Sequence, residues 1–287
     1  MDPEYANAHI NLGNVLNQLG RYDESGPHLQ KAIRLQPDSP EAHNNLGLML
    51  HEGQHQLNEA VSSFNKALSL RPDFPEAHYN LGNVLSEQFC LDDAVVSFQK
   101  ALSLRPGYTE AHINLGNAFK EQNKLEEAVR SYRKAIEIDP KFLEILYSLG
   151  LVYMSLGHVD DAFSSLRKAV RENPQDGKAW GAWAECLAAF PFASVDDDLF
   201  EDLTNMLDQP AVSPRPLANP ILRALRKNPE FSKILEFVND NKTAHQASYR
   251  EVAEKLSAIP LLIKLMGLCS FDDLEIENTF TSLRRLM

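Results

Sequence analysis

The sequence predicts an all-α protein made of stacked helical hairpins, and three observations lead to that fold class. A phrase typified by PEAHYNLGNVLS, which starts at Pro75, occurs with small edits in four stretches between residues 6 and 120. Prolines recur with a period of 34 or 35 residues, and a fixed period of this size indicates a solenoid. Apolar residues within each period are spaced as on one face of a helix. The periodic prolines are Pro3, Pro37, Pro72, Pro106, Pro140 and Pro174.

Each period predicts two helices that pack against each other. The first helix carries an inward stripe of the type His9, Leu12, Gly13 and Leu16, in which the small residue lets the second helix approach. The second helix carries an alanine, a large residue and another alanine, and a proline ends it. Later stripes of the first helix are His43-Leu46-Gly47-Leu50, His78-Leu81-Gly82-Leu85, His112-Leu115-Gly116-Phe119 and Leu146-Leu149-Gly150-Tyr153.

Composition excludes several function classes. The chain has 287 residues, of which 24% are charged and 44% hydrophobic, as in ordinary globular proteins. Its formal net charge of −12 argues against binding to nucleic acid or to an anionic membrane surface. Three cysteines, at positions 90, 186 and 269, form no disulfide or metal-binding pattern, which favours a reducing, cytoplasmic location. No signal peptide or membrane-spanning run is predicted.

The face opposite the inward stripe repeats asparagine and glutamate. A helical rotation of about 100° per residue places Asn11 and Asn14 opposite the stripe of the first copy. In the later copies the same face carries a glutamate, then an asparagine or, in the fifth copy, Ser148, and in two copies a second asparagine. A primary amide both donates and accepts hydrogen bonds, so a row of amides can hold the backbone of an extended peptide. The candidate ligand-binding residues are Asn11, Asn14, Glu41, Asn45, Glu76, Asn80, Asn83, Glu110, Asn114, Asn117 and Glu144.

Two alternatives to ligand binding remain open for this polar face. The residues could simply form a solvated surface. Alternatively, recent duplication of one repeat would give identical residues in each copy without selection for binding. Against the solvated surface, asparagine is a mediocre helix former, and lysine or glutamate would solubilise a helix better.

Four histidines also recur one repeat apart, at positions 9, 43, 78 and 112. Their regularity suggests a metal site, but they lie on the inward stripe. We therefore expect them to pack in the core, and no metal or cofactor is predicted for the chain.

The period and its residues resemble the tetratricopeptide repeat, whose pattern is W-x2-L-G-x2-Y, then A-x3-F, then A and P. Five full copies span residues 6–174, and a partial sixth copy spans 177–190. Ser25 and Pro27 depart from the pattern of the second helix in copy one, and histidine or leucine replaces the first aromatic residue. The resemblance implies a right-handed superhelix, an α-α solenoid, over residues 1–190, followed by a small helical domain or connector over 191–287.

The resemblance also implies a function. First helices of tetratricopeptide arrays line a concave groove that binds protein segments, so we expect a protein- or peptide-binding scaffold without catalysis by this chain. An asparagine ladder at the positions of Asn11, Asn45, Asn80 and Asn114 resembles that of O-linked N-acetylglucosamine transferases, where it grips extended protein substrates. The glutamates of the groove argue against the carboxylate-clamp type of ligand and favour a neutral or basic segment.

The last third of the chain carries no repeat and no recognised catalytic motif. Amphipathic stretches such as LFEDLTNMLDQP and YREVAEKLSAIPLLIKLMGL predict further helices, and the proline-rich AVSPRPLANP between them predicts a connector without a helix. The stretch PLLIKLMGLCSFDDLEIENTFTSLRRLM loosely resembles the helical connector of bacterial fusions between tetratricopeptide arrays and methyltransferase-like domains. The alternative expectation is therefore the substrate-recruiting part of a larger bacterial methyltransferase or glycosyltransferase. Neither end of the chain is polar like a terminal solenoid repeat, so self-association through the ends is a third expectation.

Overall fold

The computed structural model describes residues 3–140, 144–192, 197–229, 231–233 and 259–268, and these residues contain helices and connecting loops but no strand. The predicted all-α class is confirmed. The helices are α1 (Pro3–Gln18), α2 (Tyr22–Leu35), α3 (Pro40–Gln54), α4 (Leu57–Leu70), α5 (Pro75–Glu87), α6 (Leu91–Leu104), α7 (Thr109–Glu121), α8 (Leu125–Ile138), α9 (Glu144–Leu156), α10 (Val159–Glu172), α11 (Gly177–Ala189), α12 (Asp197–Met206), α13 (Pro214–Leu225) and α14 (Pro260–Leu268).

The chain forms two compact units, unit 1 over Met1–Ile145 and unit 2 over Leu146–Met287. Unit 1 contains the hairpins α1–α2, α3–α4, α5–α6 and α7–α8, and each hairpin packs on the next. The predicted division at residue 190 follows the end of the sequence repeat and is a different division from that between the units.

A glycine in each first helix allows the close contact within the hairpin. A methyl group added at Gly82 would lie 2.6 Å from the ring of Phe98 on α6, and Phe98 is fully buried. Only a residue without a side chain fits at that distance, because packed carbon atoms are normally about 3.5 to 4 Å apart. The same contact joins Gly13 to Leu29, Gly47 to Phe64, Gly116 to Tyr132 and Gly150 to Leu166.

Successive hairpins are joined by apolar contacts between a second helix and the following first helix. Ala60 and Phe64 of α4 form one buried cluster with Leu81 and Val84 of α5. Leu12 of α1 occupies the position of Leu81, yet it is 43% exposed, so the predicted burial of Leu12 is wrong. Within unit 1 the difference has a simple reason: a preceding hairpin covers α3, α5 and α7 but not α1.

The irregular second helix of copy one is continuous. Ser25 replaces the usual alanine without leaving a buried hydroxyl unpaired, because its Oγ donates a hydrogen bond to the carbonyl oxygen of Gly13, 2.9 Å away. Pro27 lies on the exposed side of α2, which runs from Tyr22 to Leu35.

Unit 2 continues the hairpin pattern and then departs from it. α10 packs on α11, which in turn contacts α13, and α14 contacts both α12 and α13. Phe163, Trp183 and Phe192 form a buried aromatic cluster with Phe190 beside them. A buried carboxylate, Asp202 of α12, is held by Arg167 and Arg171 of α10 at 2.7 to 3.0 Å.

The predicted connector AVSPRPLANP is wrong from its fourth residue onward, because Pro214–Leu225 is a helix. Pro214 and Pro216 lie in its first turn, where backbone N–H groups have no partner within the helix, so proline is tolerated there. Pro220 lies within the helix, on its buried side. The helix predicted within LFEDLTNMLDQP is confirmed, and it runs from Asp197 to Met206. The stretch LEIENTFTSLRRLM lies outside the described residues.

Among the described residues, no helix combines the length and the hydropathy that crossing a bilayer would require.

Candidate functional site

The first helices of unit 1 lie side by side and form one surface, which we call the A-helix face. It consists of the outward residues of α1, α3, α5 and α7, and each of these helices contacts the next one in the row. The sequence-predicted residues from Asn11 to Asn117 all belong to these four helices. Glu144 is exposed at the start of α9.

Asparagines on the A-helix face are hydrogen-bonded from one repeat to the next. The amide of Asn80 donates to the side-chain oxygen of Asn44, with 3.1 Å between Nδ2 and Oδ1. In the next repeat, Asn114 donates to the side-chain oxygen of Asn83 at 2.8 Å and reaches the hydroxyl of Tyr79 at 3.3 Å. These bonds fix the orientation of both amides. Both residues are half-buried, so each stays partly exposed to solvent.

Asn45 has a more enclosed position than the sequence pattern suggests. Its side chain is 8% exposed, because adjacent first helices meet around it. The neighbouring Asn44 donates to the Asn45 amide oxygen at 3.4 Å, and the buried amide of Asn17 on α1 donates to the Asn45 backbone carbonyl at 2.8 Å. These contacts link α1 to α3.

Asn117 is tied to the core of its own hairpin. Its amide oxygen accepts a hydrogen bond from the hydroxyl of Tyr132 at 2.7 Å, and the Tyr132 ring packs against Gly116. Burial raises the pKa of Tyr132 well above its usual range, which keeps the hydroxyl protonated as a donor. Of the first-copy residues, Asn11 is exposed and Asn14 is half-buried.

Two of the predicted glutamates are paired with arginines. Arg71 binds Glu41 at 2.5 Å, and Arg105 binds Glu76 in the same way one repeat later. Partial burial opposes ionisation of Glu41, but hydrogen bonds from its own backbone amide and from Arg71 outweigh this and lower its pKa. The charges of these two glutamates are therefore compensated locally, which the sequence analysis did not anticipate.

Glu110 is exposed and differs in its surroundings. The position equivalent to Arg71 and Arg105 in the following repeat is Asp139, so the arginine that pairs with the first two glutamates has no counterpart in residue type for Glu110.

Aromatic residues border the amides and were missed by the sequence analysis. The rings of Tyr79 and Tyr108 lie 4.8 Å apart, and the guanidinium of Arg105 lies 4.9 Å from the centre of the Tyr108 ring. Arg71 lies over Phe74 in the same way at 5.1 Å. Burial, helped by nearby Tyr79 and Glu110, raises the pKa of Tyr108. The available signal was the repeated pair Arg-Pro at 71–72 and 105–106, each followed by an aromatic residue.

The repeated histidines make hydrogen bonds and are only half-buried, so the expectation that they pack in the core is wrong. His43, His78 and His112 are half-buried, and the Nε2 atom of each lies 2.8 to 3.0 Å from the carbonyl oxygen of the proline six residues earlier. Trp180 in the partial sixth repeat donates from Nε1 to the carbonyl of Pro174 at 2.9 Å. Histidine thus reproduces the hydrogen bond of the aromatic residue that it replaces. In the part of the chain described, no group of acidic, histidine and cysteine side chains is arranged to hold a metal ion.

Comparison with known families agrees with the hairpin geometry. A family model described as TPR repeat matches residues 13–53, 54–88 and 116–157. Two further models described as tetratricopeptide repeat match residues 75–108 and 143–176.

Solved structures with the same fold are numerous. The chain is 26% identical to a MamA crystal structure over 58% of its length and 96% of that chain, with a TM-score of 0.53. It is 25% identical to YrrB, described as a TPR protein with an unusual peptide-binding site, over 61% of its length and 89% of that chain, with a TM-score of 0.54. PilF of Pseudomonas aeruginosa, 19% identical over 71% and 87% of the two chains, shares the fold with a TM-score of 0.60.

A search of curated proteins finds no significant match. The matched repeats cover most of residues 13–176, and within them each glycine-to-large-residue contact joins a first helix to its own second helix. This protein belongs to the tetratricopeptide-repeat family.

Proposed function

We propose that the A-helix face binds an extended protein segment mainly through its backbone, with Asn80 and Asn114 as the central contacts. The family and the related structures support a protein-interaction scaffold as the general role. One observation carries the more specific proposal: each amide is held by a hydrogen bond to the preceding repeat while its residue stays partly exposed to solvent.

Held amides suit backbone recognition for a physical reason. An amide carries two N–H donors and an oxygen with two lone pairs, and the bonds to Asn44 and Asn83 use only donors. The amide oxygens are then oriented to accept from peptide N–H groups. Because the side chains are already ordered, less conformational entropy is lost on binding.

The charges on the A-helix face favour one orientation of a bound segment. Glu41 and Glu76 are compensated by Arg71 and Arg105, whereas Glu110 is exposed at the α7 end of the face. A ligand would therefore be neutral where it crosses α3 and α5 and would carry any lysine or arginine near α7. The neighbouring rings of Tyr79 and Tyr108 offer an apolar surface between these regions.

In the alternative function, the A-helix face binds protein segments in the same way, and a catalytic domain acts on them. In that proposal, the A-helix face recruits protein substrates for a methyltransferase or glycosyltransferase active site outside this chain. The likeness to YrrB, which is described by its peptide-binding site, supports the recruiting step and is neutral about catalysis.

The test begins with a random 12-residue peptide library displayed on phage and selected on the immobilised full chain. Selected peptides are synthesised, and their affinities are measured by fluorescence anisotropy for the native chain and for Asn80→Ala/Asn114→Ala. We expect the double variant to weaken binding of one peptide class about tenfold or more, since each lost hydrogen bond costs roughly 1 kcal/mol. Methylating the backbone nitrogens of those peptides should abolish binding, whereas alanine substitution of their side chains one at a time should weaken binding less.

The matched control is Asn65→Ala/Gln99→Ala, which removes two exposed amides from the second helices α4 and α6. This control should bind like the native chain. If every selected peptide bound the folded Asn80/Asn114 variant as tightly as the native chain, backbone recognition by this face would be wrong.

A further inference from the structure

A second surface of unit 1 departs from the repeat pattern at three positions in the third hairpin. Phe89 and Cys90 form the loop between α5 and α6, and Val96 lies on the outer side of α6. All three are exposed, Phe89 by 82% and Val96 by 64%. The equivalent residues of the other copies are Gly20, Arg21 and Pro27; His55, Gln56 and Ser62; Asn123, Lys124 and Arg130; and Gly157, His158 and Ser164.

Phe89 is unusual in its backbone as well as in its exposure. Its φ of 58° lies in the left-handed region, and the equivalent loops place Gly20, His55, Asn123 and Gly157 there. Glycine and asparagine adopt this conformation readily, whereas a bulky residue is strained by it. The loop geometry is nevertheless kept, since the Cys90 amide donates to the Leu85 carbonyl at 2.8 Å as the Lys124 amide does to Phe119.

Packing within unit 1 does not offset the backbone strain of Phe89 or the exposure of its ring. A ring that is 82% exposed gains little from packing, and an asparagine at this position would relieve the backbone. Strained residues that the fold does not need are concentrated at functional sites. Single exposed apolar residues are common, but here three positions of one repeat change from polar or turn residues to apolar ones.

The surroundings of this surface are acidic. Glu87 precedes the loop, and Asp92 and Asp93 lie between Phe89 and Val96 in the first turn of α6. Glu87 contacts His51 of α3, and Asp92 accepts from Gln122 at the end of α7, so both carboxylates have fixed partners in neighbouring repeats. If a second copy of the chain docked on the same surface, like charges would face each other and repel. The formal net charge of the whole chain, −12, would add to this repulsion.

We propose that Phe89, Cys90 and Val96 form a second protein-docking surface, distinct from the A-helix face, for a partner segment whose apolar side chains are flanked by lysine or arginine. Phe89 is the anchor that enters the partner, and the carboxylates around it pair with the flanking cations. The proposal is independent of ligand binding on the A-helix face.

The experiment uses the same displayed 12-residue library and the full chain. Selected peptides are measured against Phe89→Asn/Val96→Ser, which installs the residue types that the chain itself uses in repeats four and two. Leu19→Ser is the matched control, because Leu19 is an exposed apolar residue near the end of α1. The melting temperature of each variant is measured as well. That of the double variant should equal or exceed the native value, because asparagine adopts the left-handed conformation of this loop with less strain than phenylalanine.

We expect one class of selected peptides to combine leucine, isoleucine or aromatic residues with lysine or arginine. The affinity of this class for the Phe89→Asn/Val96→Ser variant should be at least tenfold lower than for the native chain. Its affinity for Leu19→Ser and for Asn80→Ala/Asn114→Ala should be unchanged. The proposal is overturned if no peptide class depends on Phe89 and Val96, or if the dependent peptides are acidic. It is equally overturned if light scattering shows a native dimer that the Phe89/Val96 variant abolishes, since a second copy would then be the occupant.

Discussion

His78 and His112 stand where the tetratricopeptide pattern has a large aromatic residue, and they keep only part of its role. Each bonds to a proline carbonyl through Nε2, as the indole of Trp180 does, but each is smaller and half-buried. Burial lowers the pKa of both histidines, with the carbonyl bonds opposing and Lys100 and Lys134 assisting. Unlike tryptophan, these residues make the array sensitive to acid.

Replacing both residues with tryptophan should flatten part of the acid dependence of stability. In the unfolded chain a histidine titrates near its ordinary pKa of 6.5, whereas the folded chain binds that proton only at lower pH. The unfolded state therefore binds more protons as the pH falls through about 6.5, and the free energy of unfolding decreases. Urea unfolding at pH 7.5 and 5.5 measures the loss, which should be smaller for His78→Trp/His112→Trp than for the native chain. Equal losses in the two proteins would contradict this origin of the acid sensitivity.

At the scale of the helical elements, the distance between the two helices of a hairpin is set by one glycine. Phe98 fills the space above Gly82 and cannot move far, because it is fully buried among α5 and α6 residues. Gly181 occupies the interior of a first helix too, but an added methyl group there would have no atom within 4 Å.

Alanine substitutions at these two glycines should therefore change stability in opposite directions. Gly82→Ala gains about 1 kcal/mol of helix propensity but forces a contact that costs roughly 1 to 3 kcal/mol, so we expect a net loss. Gly181→Ala keeps the gain without the contact and should stabilise by up to about 1 kcal/mol. Midpoints of urea unfolding measure both effects. A stabilised Gly82→Ala variant would show that the hairpin can open at no cost.

At the scale of the whole molecule, the sequence predicted the repeated parts of the fold well, because the packing of each hairpin depends on nearby residues. Gly82 and Phe98 are 16 positions apart, and their types alone specify the contact. The bonds between repeats were harder to predict. They join residues about 30 positions apart, as in the pairs Arg105–Glu76 and Asn114–Asn83. Their geometry depends on how hairpins stack, which the residue pattern of a single repeat does not contain.

The exposed Leu12 and the helical Pro214–Leu225 were mispredicted for different reasons. The first depends on which hairpin precedes α1, and the second on prolines that fall in a first helical turn rather than in a loop. Phe89 was overlooked because it lies outside the repeat consensus, although comparing the five equivalent loops would have identified it.

Helix contacts in unit 1 connect each hairpin to its neighbours. A defect in one part of the chain should therefore loosen the adjacent helices and leave distant hairpins unchanged. Asp202 in unit 2 offers a strong and well-placed perturbation. Its side chain is 10% exposed and pairs with Arg167 and Arg171, and removing one partner of a buried ion pair typically costs about 3 to 5 kcal/mol.

Asp202→Asn should therefore loosen α10 and α12 while leaving α1–α6 unchanged. Hydrogen exchange followed by mass spectrometry should show faster exchange in peptides from the two unit 2 helices, because the arginines lose the charge that holds α12 against α10. The control Asp198→Asn removes an exposed carboxylate 3.2 Å from Arg171 and should change exchange little, since exposed pairs contribute about 0 to 1 kcal/mol. Faster exchange throughout α1–α6 in Asp202→Asn would mean that the array unfolds as a single cooperative body, and the expectation of nearest-neighbour coupling would then be wrong.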